Sequence, residues 1–439
     1  MRSLTNNPDL LALHEAYPAR YPHLLESAAT GEQGRYDILF AFPGKSIELR
    51  EATAFDFLDA LDEAWREEQS KEQFERNPAL PFHGGWFLYL SYELAGQIEP
   101  RLNLPNNDSN LPIASATRFP AAIIYDHQSD TSSLVSEQEG LFAAMFEDID
   151  HLSFAEGHSN PVAIDLQEEP DTKYTSSVER ILDYIRDGDV FQANLSRGWQ
   201  GRWPTHITTP QLYRRLRAAN PGPFNGLATF GENAVLSSSP ERLVEVRGNQ
   251  VQTRPIAGTR PRAQNKQDDA ALSRELMAHP KERAEHIMLI DLERNDLGRI
   301  AVPGSVTVSE LMTLESYASV HHIVSNVCAE KRPEVTPGEI IRAVFPGGTI
   351  TGCPKVRCME IIAALEGTGR GAYTGSMGYL NLDGSLDLNI LIRTLVRNGD
   401  HLSFRAGAGI VADSDPHREL DETRAKAQAM LRALGGSRA

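Results

Sequence analysis

Cysteine is scarce in this chain. There are three in 439 residues, Cys328, Cys353 and Cys358, and no CxxC pair among them. That excludes a disulfide framework and a cysteine-built structural zinc site, and it matches a reducing compartment. No apolar run approaches the roughly 18 residues of a membrane-spanning helix. The first twenty residues, MRSLTNNPDLLALHEAYPAR, lack a charged-then-apolar signal pattern. A cytoplasmic protein is expected. Positive charge is also in short supply: 43 Lys and Arg against 60 Asp and Glu give a net charge of −17. A broad electrostatic attraction to nucleic acid or anionic membranes is therefore excluded, though a few local cations can still hold a small anion. P-loop spacing, internal repeats and low-complexity tracts are all missing. What remains, 41% hydrophobic and 23% charged residues, is the composition of a globular protein with one large or two ordinary domains.

The stretch Phe345 to Glu366, FPGGTITGCPKVRCMEIIAALE, is the most organised in the chain. Gly347 and Gly348 free the backbone to turn, Pro354 suits the first turn of a helix, and Gly367 suits its C-cap. Two readings stay open. Thr349, Thr351, Lys355 and Arg357 around a helix start make an anion site, or the segment is a glycine loop before a buried helix.

Clusters of strands alternate with helical runs without a regular βαβ rhythm, which indicates an α+β fold. Phe55, Leu58, Leu61 and Trp65 recur at helical spacing, with Asp56, Asp59, Asp62 and Glu63 on the solvated face. Residues 100–117 read as loop. Glu156 to Thr172, acidic and broken by Pro161 and Pro170, reads as a link, and Ser176-x-x-Glu179 reads as a capping box opening the next helix. Helix is expected from Lys266 to Leu292, strand over Leu386–Arg397, and a last helix over 416–434.

Several side chains conflict with their surroundings, and such conflicts mark chemistry. Glu285 shares a helix face with Met288, Leu289 and Leu292, where a carboxylate must find a cation or hold a proton. Glu419, Glu422 and Lys426 repeat the arrangement on the last helix, with plain i,i+4 pairing of Glu422 and Lys426 as the simpler account. Should the three glutamates meet, the hard oxygen site suits Mg²⁺. Arg393, in the apolar run DLNILIRTL, wants a planar anion such as a carboxylate. Gly407-Ala408-Gly409 admits close backbone approach to a ligand. Tyr379 and the His321–His322 pair are weaker signals.

Together these segments resemble the chorismate-utilising enzymes. The matching blocks are SPERL (239–243), TRPIAGTRPR (253–262), AEHIMLIDLERNDLG (284–298), HHIVSNV (321–327), the 345–362 stretch, GYLNLDGSLDLNILIRT (378–394), GAGIVADSDP (407–416) and ELDETRAKA (419–427). The resemblance implies a single large α/β sandwich, its two β-sheets forming a central cleft with helices outside. Residues 1–160 would be an N-terminal region packing on the sandwich, and 173–435 the chorismate-binding catalytic region.

By position, Glu285 and Glu422 would hold Mg²⁺, with Glu419 close by. Arg393, Tyr379 and the Gly407, Ala408 and Gly409 backbone would hold the carboxylates, with Gly258, Thr259 and Lys426 lining the same cleft. His322 would be the acid for the C4 hydroxyl, Thr349 would position that end of the ring, and Glu241 would lie near the nucleophile. LLES (24–27) with GRY (34–36) resembles a tryptophan pocket that would include Leu25, Glu26 and Ser27, although Asp37 replaces a serine common there. Ala257 stands where many relatives carry lysine, which discounts water addition and leaves ammonia as the nucleophile.

Two products follow: 4-amino-4-deoxychorismate, favoured by QANL (192–195), NPGPF (220–224) and GGTITG (347–352), or anthranilate, favoured by Ala257. No block remains for a glutaminase, so the resemblance implies ammonia from a separate glutamine amidotransferase subunit in a heterodimer. A non-catalytic sensor would have lost the glutamates or His322, and neither is lost.

Overall fold

Strand Gly85–Leu90 shows how the layers stack. All six residues are buried. Trp86, Leu88 and Leu90 join one apolar cluster with Leu58, Leu61 and Ile341, while Phe87 and Tyr89 join another with Ile38 and Phe40. Successive strand side chains point to opposite faces, so this strand is covered on both. The first cluster lies between its sheet and the helices Phe57–Gln69 and Pro337–Val344; the second lies between two sheets. A third, holding Leu11, Leu212, Met430 and Phe404, covers the outer face of the other sheet with helices Leu10–Ala16, Thr209–Ala219 and Pro416–Ala433. The result is helices, sheet, sheet, helices: the expected α+β sandwich.

The computed structural model describes residues 1–28, 34–69, 80–152, 164–263, 265–316 and 320–435. Among these, one sheet has twelve strands and the other ten. The ten-stranded sheet begins at Ile256–Pro261 and passes through Val320–Glu330 to end at Ser46–Leu49. The twelve-stranded sheet begins at Arg2–Ser3 and ends with Thr394–Asn398, His401–Ile410, Gln192–Arg202 and Gly352–Cys353. Strand His23–Glu26 pairs with Phe224–Phe230, and Gly85–Leu90 pairs with Ser376–Asn381. Residues before 160 and after 173 therefore contribute strands to both sheets.

Several local expectations need correction. The helix expected to open at Ser176 runs from Asp171 to Arg186, and Ser176 Oγ donates to Lys173 O inside it. Asp62 is not solvated: its carboxylate accepts from Gly338 N at 2.8 Å and from Thr336 Oγ1, tying one helix to the start of another. Phe55, 39% exposed, lies outside the apolar face. Strand Ala114–Phe119 begins inside the expected loop. The helical run after Lys266 is two helices, Lys266–Ala278 and Pro280–Gly298, divided before Pro280, which has no N–H to donate. The link at Glu156–Thr172 falls partly outside the described residues; its described end forms strand Leu166–Glu168. No helix among the described residues is long and apolar enough to cross a membrane.

The most consequential correction concerns Leu386–Arg397. It is two strands in different sheets: Leu386–Asn389 belongs to the ten-stranded sheet and Thr394–Asn398 to the twelve-stranded one. Arg393 is the last residue of the crossover, at φ +52°. A non-glycine residue in that region is strained, and here the strain lies where the chain steps between sheets.

Candidate active site

The crossover opens onto a cavity of about 880 Å³ between the ends of the two sheets. Its walls come from strands Gln192–Arg202 and His401–Ile410 on one side and Ile256–Pro261 and Val320–Glu330 on the other, closed by helices Pro280–Gly298 and Pro416–Ala433. Glu241, Gly258, Glu285, His322, Thr349, Arg393, Gly407, Gly409, Glu419, Glu422 and Lys426 all line it. The sequence placed these residues together, and the fold brings them together.

At one end stand carboxylates. Glu285 Oε1 accepts from Gln192 Nε2 at 2.9 Å, and Glu422 Oε1 pairs with Lys426 Nζ at 2.8 Å. Lys426 Nζ also donates to Gly407 O at 3.0 Å, so the lysine that makes the helix pairing also lines the cleft. Glu282, one turn before Glu285, joins the lining and is bonded by Arg260 Nη1 at 3.2 Å. No three His, Cys, Asp or Glu side chains among the described residues stand close enough to hold a metal between them. The donors are nevertheless hard carboxylate oxygens facing one cavity, the chemistry a hard divalent cation takes.

In the middle stands Arg393. Among the described residues nothing hydrogen-bonds to or ion-pairs with its guanidinium. Burial pulls it below its usual range, and the Glu241 carboxylate offsets only part of that. A desolvated guanidinium facing a cavity is a receptor for a planar anion. Gly407 and Gly409 form the floor beside it. A Cβ at 407 would fall 2.6 Å from Tyr373 Oη and 2.9 Å from Asn194 Oδ1, and one at 409 would overlap Gln192 Nε2. Glycine is required there because cleft side chains lie directly on the backbone. Ala408, between them, points to the opposite face, into the cluster of Leu195, Ile181 and Leu420, and offers the cleft only backbone.

Thr349 and Glu241 line the same cavity. Burial pushes the Glu241 carboxyl up to about 7, against the opposing influences of Thr349, the Ile256 backbone, Arg393 and Lys426. His322 is pushed down to about 4 by burial and by Arg393, and its ring is hydrogen-bonded to the Gly258 backbone. Gly258, at φ +69°, is the bulge that shifts register between Ala257 and Thr259 opposite His322. Ala257 lines the cavity as well and brings no functional group.

Tyr379 does not share this cleft. It lines a second cavity of about 330 Å³, where its hydroxyl accepts from Arg247 Nη2 at 3.0 Å. Six residues earlier on the other side of the turn, Tyr373 is the aromatic residue of the cleft. Sequence reading also left Gln192, Glu282 and Arg405 unassigned, and all three line the cavity. Glu282 had a usable signal, since it precedes Glu285 by three on one helix. Lys355 and Arg357, read as possible anion ligands, are bonded instead to Asp296 and to Glu360 and Asp189, so the helix start they flank is a packed element.

The second cavity collects Leu25, Glu26 and Ser27 with Arg35 and Tyr36, so the two N-terminal motifs do meet. Its charges are answered internally. Arg217 pairs with Glu26 at 2.5 Å, and Arg242 pairs with Asp387 at 2.9 Å. Asp37 Oδ1 accepts from Ser27 N at 2.7 Å and contacts His127 Nε2 at 2.9 Å, so the Ser27 amide already has a partner.

Comparison with known proteins identifies the family and the fold. The family model described as chorismate binding enzyme matches residues 21–432. An anthranilate synthase component I-like protein of Synechocystis is 40% identical over 430 residues, 97% of this chain and 86% of its own. Aminodeoxychorismate synthase component 1 of Bacillus subtilis is 41% identical over 377 residues, 82% of this chain and 79% of its own. The crystal structure of anthranilate synthase component I from Streptococcus pneumoniae superposes with a TM-score of 0.81 at 30% identity, covering 91% of this chain and 93% of that one.

Proposed function

The chain belongs to the chorismate-binding enzymes, and from that premise we propose that it aminates chorismate to 4-amino-4-deoxychorismate. Ammonia would come from a separate glutamine amidotransferase subunit, as expected of a chain whose relatives are named component 1. The observation that carries the reading is Arg393: a half-buried guanidinium with no hydrogen-bond or ion-pair partner among the described residues, lining one cleft with the carboxylates of Glu285, Glu419 and Glu422 and with the Glu241 carboxyl that burial pushes up. Chorismate is a dianion with a hydroxyl to lose, and it matches both the guanidinium and the carboxyl.

Arg393, with the Gly407 and Gly409 backbone and Tyr373, binds the carboxylates. Mg²⁺ held by Glu285 and Glu422, with Glu419 through water, would neutralise the ring carboxylate. The proton for the departing C4 hydroxyl is assigned to Glu241 rather than His322. At neutral pH a carboxyl pushed up to about 7 is still partly protonated, whereas an imidazole pushed down to about 4 is already neutral. Thr349 orients that carboxyl.

The nitrogen balance takes two displacements. Ammonia enters at C2 as water leaves C4, and the ring double bond shifts. A second ammonia then enters at C4 as the C2 amine leaves, returning the double bond. One ammonia is consumed and one water released. With alanine at 257, ammonia must serve as both nucleophiles. Anthranilate is the second reading, favoured by that same alanine: pyruvate leaves the 2-amino intermediate before the second displacement.

A product assay with chorismate, Mg²⁺ and ammonium, with and without aminodeoxychorismate lyase, tests the choice. p-Aminobenzoate appearing only with the lyase is the expected result; anthranilate fluorescence without it would overturn the reading. A second expectation follows from Asp37. L-tryptophan should neither inhibit chorismate consumption nor raise the thermal midpoint, because the Ser27 amide is occupied. Inhibition would mean that an effector displaces Asp37, and would favour anthranilate synthesis.

A further inference from the structure

Behind the turn Gly348–Ile350 lies a group of buried ionisable side chains that this scheme does not use. Glu293, 7% exposed, and Asp296, 3% exposed, come from helix Pro280–Gly298. Lys355 Nζ, from helix Lys355–Glu366, is bonded to Asp296 Oδ2 at 2.5 Å and lies 3.4 Å from Val344 O. That leaves Glu293 without an ammonium of its own. Gly348 rests directly on it: a Cβ there would stand 3.2 Å from Glu293 Oε1 and 2.5 Å from Leu292 Cδ2. The next residue, Thr349, turns the other way and lines the cleft against Glu241. One turn of backbone thus separates a buried acid in the core from the acid in the cleft.

We propose that Glu293 is a positioning residue: its buried carboxyl, against which Gly348 rests, supports the turn that presents Thr349 to Glu241. The inference rests on the reading of the cleft as a chorismate site. The groups facing Glu293 act on its ionisation in both directions. Asp296 on its own helix and Glu241 beyond the turn oppose a negative charge, while Lys355 and the Thr253 hydroxyl favour one. Burial outweighs them and pushes Glu293 up to about 8, so it holds its proton at neutral pH. An acidic group is thereby kept in a place that an amide could fill sterically. The turn is closed by Thr351 Oγ1 donating to Gly347 O at 2.9 Å, so it moves as a unit when its support moves.

The test compares wild type, Glu293→Gln and Glu293→Ala by chorismate consumption, which does not depend on the identity of the product. In the wild type kcat/KM should fall on the alkaline side in two steps, at about 7 from Glu241 and about 8 from Glu293. Glu293→Gln should remove only the upper step and leave kcat and KM at pH 7 within about twofold. Glu293→Ala should lower kcat about tenfold with KM nearly unchanged, since it loosens geometry and not binding. An unchanged alkaline profile in Glu293→Gln, or a Glu293→Ala variant that loses thermal stability without losing kcat, overturns the proposal. Infrared difference spectra of wild type against Glu293→Gln read the protonated carboxyl directly at pH 7. They separate failure of this inference from failure of the chorismate reading: an ionised Glu293 at that pH sinks the inference whatever the turnover.

Discussion

Glu285→Gln should lower chorismate consumption by about three orders of magnitude while leaving the fold intact. The substitution keeps the size of the side chain and its place on helix Pro280–Gly298. Its amide can still present an oxygen to Gln192 Nε2, which bonds Glu285 Oε1 at 2.9 Å. Leu289, on the same face, keeps its packing. What is lost is one negative charge at the carboxylate end of the cleft. Arg260 already answers Glu282, and Lys426 already answers Glu422. Without Glu285, a divalent cation would have to be held by Glu419 and by a glutamate shared with lysine. Calorimetric titration with Mg²⁺ should show weakened binding in parallel with the loss of turnover. Near-UV circular dichroism should be unchanged. Turnover retained at the wild-type level would remove Mg²⁺ from this position.

The sequence made the cleft legible where chemistry conflicts with surroundings. A glutamate on an apolar helix face and an arginine in an apolar run are anomalies that burial alone makes costly, so Glu285, Glu422 and Arg393 stood out before any fold was known. It failed where the conflict is visible only in three dimensions. Arg393 read as mid-strand because Leu, Ile and Val recur all the way from Leu386 to Val396. Nothing in that run announces that the chain changes sheets at a residue with φ +52°. Tyr379 sits inside strand Ser376–Asn381 and Tyr373 in the turn before it, and which of them faces the cleft is visible only in the fold. Strand Thr307–Ser316 escaped notice because it is largely exposed and its register shifts twice against Val320–Glu330, which destroys the alternation a strand would show. Asp62 looked like one more surface acid in an acidic run, although it caps the start of another helix. Local pattern reveals what a segment buries; it does not reveal which distant backbone needs a carboxylate.

Glu241→Gln should lower kcat/KM by two to three orders of magnitude, roughly, and flatten its dependence on pH around neutrality. The carboxyl lies on the cleft wall against Thr349, and burial raises it from 4.5 to about 7. An acid that protonates the departing hydroxyl must carry its proton in the free enzyme, so the wild-type rate falls as pH rises through about 7. Glutamine has no proton to give over that range, so the residual rate should lose this limb. Stability should move in the opposite direction. Between 4.5 and about 7 the folded protein binds a proton at Glu241 that the unfolded chain has released. The associated stabilisation is complete below the lower value and is lost as pH rises through the upper one. Glutamine never incurs the cost of a buried charge, so at pH 8 the variant should melt at or above the wild-type midpoint while being nearly inactive. This pairing distinguishes a catalytic role from a structural one, because a side chain needed only for packing would lose stability and activity together. A variant that keeps the wild-type rate and its alkaline limb would return the acid's role to His322. In that case the neutral imidazole must donate its own ring proton beside the desolvated Arg393.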